Sequence, residues 1–332
     1  MKQTLSRLLI ASTALLLCSC DLLKPLTNPS LVTMIPSSEE QLALLDQADE
    51  ASATGNYNEA LQLFHQVLQQ NPSATEAYIG IGDVYLDQQD YVKAEPVFAR
   101  AARLEPDNFS AQYGHGVALQ MLDRLVDAVR AFHRALTINP SSPEANLQLG
   151  TVYLQQRDSK SALNFLARAV ELDPSSGPAH LNYAAALQEL GSPKRAIEQY
   201  RVAAELMEPS PELLMNLVIL LAEEKRYREA VNAAQTLVRL DPTAVTYERL
   251  GWAYFRLGEY QNSEMAYQEA VTLDPSNYKA LNGVGVNALN HWLQTDRISH
   301  EAFLKAQGVF RKSLRVNKNQ PKVVQLMMKY GL

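Results

Sequence analysis

Histidines are the residues of this sequence whose side chains could most directly bind a metal ion. The six histidines are His65, His115, His133, His180, His291 and His300. No two of them have the spacing of a helical zinc motif, in which both imidazoles lie on one helix face. We therefore expect structural histidines, among them a core-facing, hydrogen-bonded His115, and we expect no metal site.

Closely spaced glycines could in principle cradle the phosphates of a nucleotide. Gly283 and Gly285 imitate the start of a dinucleotide fingerprint, but that motif must follow a strand and form a turn. Gly80 and Gly82 show the same spacing within a helical pattern, so the glycines are better explained by helix packing. The sequence has no nucleophile elbow or phosphate loop. We expect no cofactor and no enzymatic activity.

The two cysteines, Cys18 and Cys20, could support covalent lipid attachment. They follow a basic start and the mostly apolar run 8–17, which is shorter than the roughly 20 residues that span a bilayer. Leu17-Cys18-Ser19-Cys20 resembles a bacterial lipobox. The resemblance implies a lipoprotein signal peptide over 1–19 and lipidation of Cys20. A plain secretory signal peptide with two incidental cysteines is the alternative.

Lipidation would attach the protein to a bacterial membrane after export, on the periplasmic side. Asp21 resembles the residue that retains lipoproteins in the inner membrane, and the outer membrane is the alternative. Removing residues 1–19, whose only charged residues are Lys2 and Arg7, would change the formal net charge from −6 to −8. An acidic chain is a poor nucleic-acid binder, so we expect no nucleic-acid partner.

Prolines recur along the chain with a period close to 34 residues. They are Pro72, Pro106, Pro140, Pro174, Pro209, Pro242 and Pro275. A small residue lies 24 positions before most of them, as in Gly82 and Gly116, and an alanine often lies 12 positions before, as in Ala94 and Ala128. Small residues allow two helices to approach closely, and proline ends a helix. The pattern therefore predicts repeated helix pairs.

This pattern resembles the tetratricopeptide repeat (TPR), whose period is 34 residues. The resemblance implies an all-α fold, a right-handed superhelical solenoid of about eight helix-turn-helix repeats with a C-terminal capping helix. We predict a lipidated, flexible linker over 20–40, the solenoid over 41–319 and the capping helix over 320–332. The last repeat contains extra residues near 291–299.

The concave face of a TPR solenoid is lined by the first helix of each repeat, and this implies a partner-binding groove. Its predicted residues are Ile79, Tyr113, Val117, Leu147, Leu181, Met215, Ile219, Trp252 and Phe255. Such an apolar track either binds a partner segment or is buried between neighbouring repeats. Trp292, in the extra residues, is either a second docking residue or is packed on repeat seven.

Lipobox and repeats together resemble TPR lipoproteins that assemble envelope machines, such as the pilotins of type IV pilus secretins and the Flp pilus TPR lipoproteins. The resemblance implies a membrane-tethered, non-enzymatic scaffold that binds another envelope protein or a peptide segment, in the assembly of a secretion or pilus machine. The alternative is an accessory factor that recruits peptidoglycan or polysaccharide enzymes.

Overall fold

The computed structural model describes residues 38–332 of the chain. This part contains seventeen α-helices, connected by short turns. They are α1 (Glu39–Ala53), α2 (Tyr57–Gln70), α3 (Thr75–Asp87), α4 (Tyr91–Leu104), α5 (Phe109–Met121), α6 (Leu125–Ile138), α7 (Pro143–Gln155), α8 (Ser159–Leu172), α9 (Gly177–Glu189), α10 (Pro193–Leu206), α11 (Pro211–Glu223), α12 (Tyr227–Leu240), α13 (Ala244–Leu257), α14 (Tyr260–Leu273), α15 (Tyr278–Gln294), α16 (His300–Val316) and α17 (Pro321–Tyr330).

The first sixteen helices form eight antiparallel pairs, which we number as units one to eight. In each unit the odd-numbered helix is called the A helix and the even-numbered helix the B helix. Each A helix packs against its own B helix, and each B helix packs against the next A helix. Most neighbouring A helices also touch each other, so the A helices line the inner, concave surface of the solenoid. The predicted all-α solenoid of eight repeats with a capping helix is confirmed.

Local sequence signals determine where the A helices begin. Asn108, Ser142, Ser176 and Ser210 each accept a hydrogen bond from the backbone three residues later. Such N-caps satisfy amide groups that have no partner within the helix. The proline that precedes each cap stops the previous B helix, so the repeat boundary is encoded by the proline and the cap together.

The core runs through the whole solenoid as a row of small clusters of buried side chains. The central one, which we call the central core, joins units five to seven and includes Tyr200, Leu213, Leu221 and Leu237. It is the largest apolar cluster in the described chain and is richest in leucine on α11, which buries six apolar side chains.

Unit eight differs from the others because its two helices are longer. Helices α15 and α16 have 17 residues each, whereas the helices of units two to seven have 13 or 14. The extra residues near 291–299 therefore lengthen both helices and their turn instead of forming a separate loop. Helix α17 then packs on unit eight through Val323, Leu326 and Met327.

The start of the solenoid lies slightly earlier than predicted. Helix α1 begins at Glu39 because Ser38 and Gln41 form a capping box, so the last residues assigned to the linker belong to the helix. The signal peptide, Cys20 and most of the linker lie outside the described residues. Within 38–332, no helix combines the length and the apolar character needed to cross a bilayer.

Candidate partner-binding groove

All nine predicted groove residues lie on A helices, and each of them is partly buried. The set is Ile79, Tyr113, Val117, Leu147, Leu181, Met215, Ile219, Trp252 and Phe255. Seven of them touch the buried clusters below; the exceptions are Ile219 and Phe255. The sequence left open whether the track is exposed or packed, and the structure combines the two: each of the seven residues packs against the core and still reaches solvent.

A notch lies in the groove between α11 and α13. Its cavity volume is about 290 Å³, and it is lined by Val218, Ile219, Ala222, Glu223, Arg249 and Trp252. The ring centroid of Trp252 lies 6.3 Å from that of Tyr227 in an edge-to-face contact. The Arg256 guanidinium lies 5.8 Å from the Trp252 ring. The indole thus contacts both Tyr227 and Arg256 at the notch. Tryptophan is one of the residues that most often contribute strongly to binding at interfaces.

Phe255 does not line this notch. Its ring packs edge-to-face on Tyr260, with 5.5 Å between the ring centroids, at the turn that joins α13 to α14. Trp252 and Phe255 therefore belong to different parts of the surface, although the sequence grouped them as one site.

The groove is acidic at its N-terminal end. Asp49 and Asp83 occupy equivalent positions on α1 and α3, and Asp87 lies one turn after Asp83. Asp83 keeps contact with solvent, but the surrounding protein desolvates it; this desolvation and the carboxylates of Asp87 and Asp49 raise its pKa to about 6. None of these three carboxylates is in a salt bridge within the part of the chain described.

Comparison with known families decides the identity of the fold. Tetratricopeptide-repeat models match residues 45–109 and 84–143, residues 119–187, and residues 244–277, which together cover just over half of the chain. The chain belongs to the tetratricopeptide-repeat family.

Known relatives of this TPR protein share the repeat rather than the whole sequence. Small glutamine-rich tetratricopeptide repeat-containing protein 2 of Mycosarcoma maydis is 36% identical over 81 residues, 24% of this chain. The match spans only 23% of the length of that relative.

Solved structures show the same fold at low sequence identity. PilF of Pseudomonas aeruginosa is similar with a TM-score of 0.57 and 19% identity, over 63% of this chain and 95% of PilF. A TPR protein from Parabacteroides merdae is similar with a TM-score of 0.51 and 15% identity, over 75% of this chain and 99% of that protein. At these identities the likenesses show the fold alone.

One charged residue of the TPR groove was missed from the sequence. Glu248 occupies in unit seven the repeat position that is apolar in units two to six, and it is only 7% exposed. Desolvation raises its pKa, and the cations of Arg249 and Lys279 oppose that shift. Its Oε2 atom lies 3.7 Å from Arg249 Nε. The repeat register places Glu248 in line with Ile79, Leu147 and Met215, so the signal is present in the sequence.

Trp292 lies within the C-terminal end of the TPR core. Its ring centroid is 5.2 Å from that of Phe303 and 6.3 Å from that of Tyr330, and its Nε1 donates a hydrogen bond to the Arg297 carbonyl at 3.0 Å. The sequence analysis gave packing on repeat seven as the alternative to docking. The indole packs on α16 and α17 instead. Docking through Trp292 remains a prediction without support from this geometry.

The paired glycines have a packing role in these repeats. A Cβ atom on Gly283 would lie 2.3 Å from Tyr267, and one on Gly285 would lie 2.6 Å from Phe310. Both glycines lie inside α15, with no preceding strand in the described chain. This arrangement excludes the dinucleotide fingerprint there.

The histidines are dispersed over the repeats. His180 is buried and contacts the Gln199 Oε1 atom at 2.7 Å and the Pro174 carbonyl at 3.1 Å. His115 is half-buried, with Nε2 at 3.4 Å from Glu95; desolvation lowers its pKa. Within residues 38–332, no three His, Cys, Asp or Glu side chains are grouped so that they could hold a metal ion.

Proposed function

We propose that this protein is a non-enzymatic scaffold of the bacterial cell envelope, tethered to a membrane through Cys20, that binds a segment of another protein in its concave groove. Membrane attachment is inferred from the resemblance of residues 17–20 to a lipobox. About two acyl chains are needed for stable anchoring, which the lipidated cysteine of such proteins would supply. Assembly of a secretion or pilus machine is the role that this combination favours.

The observation that carries the proposal is the partly exposed apolar track on the A helices. If the track residues were fully buried, they would only hold the units together and could not contact a partner. If they were fully exposed, their side chains would be poorly ordered. A continuous row of apolar side chains that reaches solvent is typical of binding surfaces, whereas single exposed apolar residues occur on any protein. The track rises from six successive units, so it fits an extended or helical segment better than a small molecule.

The chemistry of the groove indicates what the partner segment contains. Aliphatic or aromatic side chains would fill the notch beside Ile219 and Trp252. A segment with basic groups at one end would be favoured at the acidic end of the groove, where Asp49, Asp83 and Asp87 repel an acidic segment.

Affinity capture of the lipidated protein from membranes tests the proposal, with Ile219→Asp as the groove variant. Ile219 lines the notch and lies outside the buried clusters, so a charge there should weaken the partner interaction without loss of helicity. We expect the recovered partner to fall about tenfold or more, as for a central interface residue. Circular dichroism checks that the helical content is unchanged.

Val126→Asp is the matched control. Val126 is 62% exposed and lies on α6, a B helix, away from the groove. Recovery of the partner should be unchanged in this variant. Equal recovery with the wild type and Ile219→Asp would exclude the groove as the binding site. A Cys20→Ser version, assayed in the same way, reports whether membrane attachment is needed for the interaction.

A further inference from the structure

The two ends of the solenoid carry charges of opposite sign. Residues 38–92 contain ten Asp and Glu residues and neither Lys nor Arg. Residues 302–332 contain seven Lys and Arg residues and neither Asp nor Glu. The formal net charge of the chain is only −6, so the division reflects where the charges lie along the chain and not its overall composition. The folded solenoid therefore has an acidic N-terminal end and a basic C-terminal end.

Helix α1 carries carboxylates on the face that other units use to pack on their predecessor. In unit two, a Cβ atom on Gly80 would lie 2.2 Å from the ring of Phe64 in unit one, and Val84 belongs to the same buried cluster as that ring. The residues 34 positions before Gly80 and Val84 are Asp46 and Glu50 of α1, and both are exposed. The open face of unit one is therefore acidic at positions where unit two buries small or apolar residues.

Helix α17 has an open face of the opposite charge. The eighth residue of an A helix usually faces its own B helix, as Gly82 faces Phe98. The eighth residue of α17 is Met328, which has no B helix to cover it and is 80% exposed. Lys322 and Lys329, two turns apart on the same helix, are exposed as well. The open face of the last helix therefore combines an apolar side chain with two cations.

The charges at both ends lack partners of opposite sign within residues 38–332. The exposed cations that form no salt bridge there are Arg311, Lys312, Arg315, Lys318, Lys322 and Lys329. The exposed carboxylates of α1 that form none are Glu39, Glu40, Asp46, Asp49 and Glu50. Because α1 and α17 lie at opposite ends of the solenoid, the two groups cannot neutralise each other within one molecule.

We propose that the basic end of one copy of this chain docks on the acidic end of a second copy, so that the protein associates head to tail. Lys322 and Lys329 of one copy face Asp46 and Glu50 of the next, and the exposed Met328 lies within the contact. The two surfaces differ, so the contact is heterologous and adds copies in a row unless it closes into a ring. Each copy offers mainly one helix, so the association is weak and transient.

A second copy fits these surfaces better than an anionic lipid or polymer does. A polyanion would contact the basic end only and would leave the carboxylates of α1 uncovered. Solubility of a terminal unit requires a polar outer face but not a single sign of charge. One contact between two copies brings both surfaces together with complementary charge, which favours this partner over molecules of one charge. The inference does not depend on the function proposed for the groove.

Sedimentation velocity of the full chain tests the proposal, with Cys20→Ser in every version so that acyl chains cannot drive association. In about 0.1 M salt, where charges act over about 10 Å, the sedimentation coefficient should rise as the protein concentration is raised to about 0.1 mM. In about 1 M salt the coefficient should stay at the monomer value, because screening shortens this range to about 3 Å.

Charge reversal at each end provides the sharper test. Lys322→Glu/Lys329→Glu and Asp46→Lys/Glu50→Lys should each weaken self-association about tenfold or more, since like charges then face each other. An equimolar mixture of the two variants should regain association, because the reversed C-terminal end of one fits the reversed N-terminal end of the other. Misfolding of either variant could not produce this recovery.

Lys160→Glu/Lys194→Glu is the matched control. It makes the same change of net charge at exposed positions of α8 and α10, in the middle of the solenoid. This variant should associate as the wild type does. Ile219→Asp should also associate normally, so the outcome is independent of the partner-binding groove.

Four results would overturn the proposal: no rise of the sedimentation coefficient in about 0.1 M salt, undiminished association of the two end variants, equal weakening by the control, or no recovery in the mixture. Co-sedimentation with vesicles that contain phosphatidylglycerol examines the other partner of the basic end. Binding of these vesicles through Lys322 and Lys329, without self-association, would show that the basic end recognises anionic lipid instead of a second copy.

Discussion

At the scale of single residues, the solenoid depends on large side chains packed between glycines. Phe98 is fully buried, and its ring faces Gly82 of its own unit and Gly114 of the next. Built Cβ atoms on these glycines would lie 2.6 Å and 2.2 Å from the ring. Tyr267 occupies the same position between Gly251 and Gly283. The glycines thus let each ring join two successive A helices.

Gly114→Ala should lower the free energy of unfolding by about 1–3 kcal/mol, the usual cost of overpacking. The Phe98 ring cannot retreat, because Gly82 bounds its other side. Urea denaturation of the full chain measures the effect.

Gly308→Ala is the matched control, since Gly308 lies within α16 and a Cβ there would meet nothing within 4 Å. It should stabilise the protein by about 0.5–1 kcal/mol, because alanine favours the helix. A similar effect of both substitutions would show that helix propensity, and not the contact with Phe98, determines the result.

At the scale of helices, one turn geometry recurs in units one to seven. The residue two positions before the B helix of each of these units has a left-handed backbone conformation, with φ between 58° and 90°. The residues are Gly55, Gln89, Asp123, Arg157, Gly191, Lys225 and Gly258. Only three of the seven are glycines, so the packing of the A and B helices imposes the turn on residues that do not favour it.

Helix α17 closes the C-terminal end of the solenoid. Val323 is 7% exposed and joins Phe310 and Ala306 in the last cluster, whereas Met328 on the same helix is 80% exposed. Terminal units of a solenoid need such a cover, because they have a neighbour on one side only.

Val323→Asp should release α17 from unit eight at a cost of about 3 kcal/mol, because it places an unpaired charge in the cluster. Hydrogen exchange should become faster in α16 and α17 and stay unchanged in α1–α8. Met328→Asp should change stability by no more than about 0.5 kcal/mol. Unchanged exchange of α16 in the Val323→Asp variant would show that α17 does not cap the solenoid.

At the scale of the whole molecule, stability is distributed unevenly along the solenoid. The central core of units five to seven forms one continuous cluster, whereas the other units have smaller, separate clusters. Solenoid stability is approximately a sum over units and their interfaces, so local opening should begin at the ends.

Hydrogen exchange of the wild-type protein should therefore be slowest in α10–α12 and faster in α1–α2 and α17. The reason is that the central amides open only when the largest apolar cluster is disrupted. Mass spectrometry of peptic fragments measures the order of exchange. Slowest exchange in units one and two would contradict this distribution of stability.

The sequence by itself determined the repeating architecture. The proline period set the spacing of the units, because the proline that follows each B helix of units one to seven cannot continue that helix. Pro96 lies outside this period, inside α4, and does not end the helix. Glycine and alanine at fixed offsets identified the helix crossings, since only small side chains allow that approach. These signals act within one unit and do not depend on contacts with the neighbouring unit. The sequence alone was therefore sufficient to predict the eight units and the capping helix.

Only the tertiary structure decided which surfaces remain open. The partial burial of Ile219 and Trp252 and the contact of Trp292 with Tyr330 of α17 depend on how neighbouring helices pack against each other. The repeat pattern gives the face of a helix on which a residue lies, but not the length of the helix beside it. Exposure is set by contacts between residues far apart in the chain, and that is the physical reason why the open surface of the groove became visible only in the folded molecule.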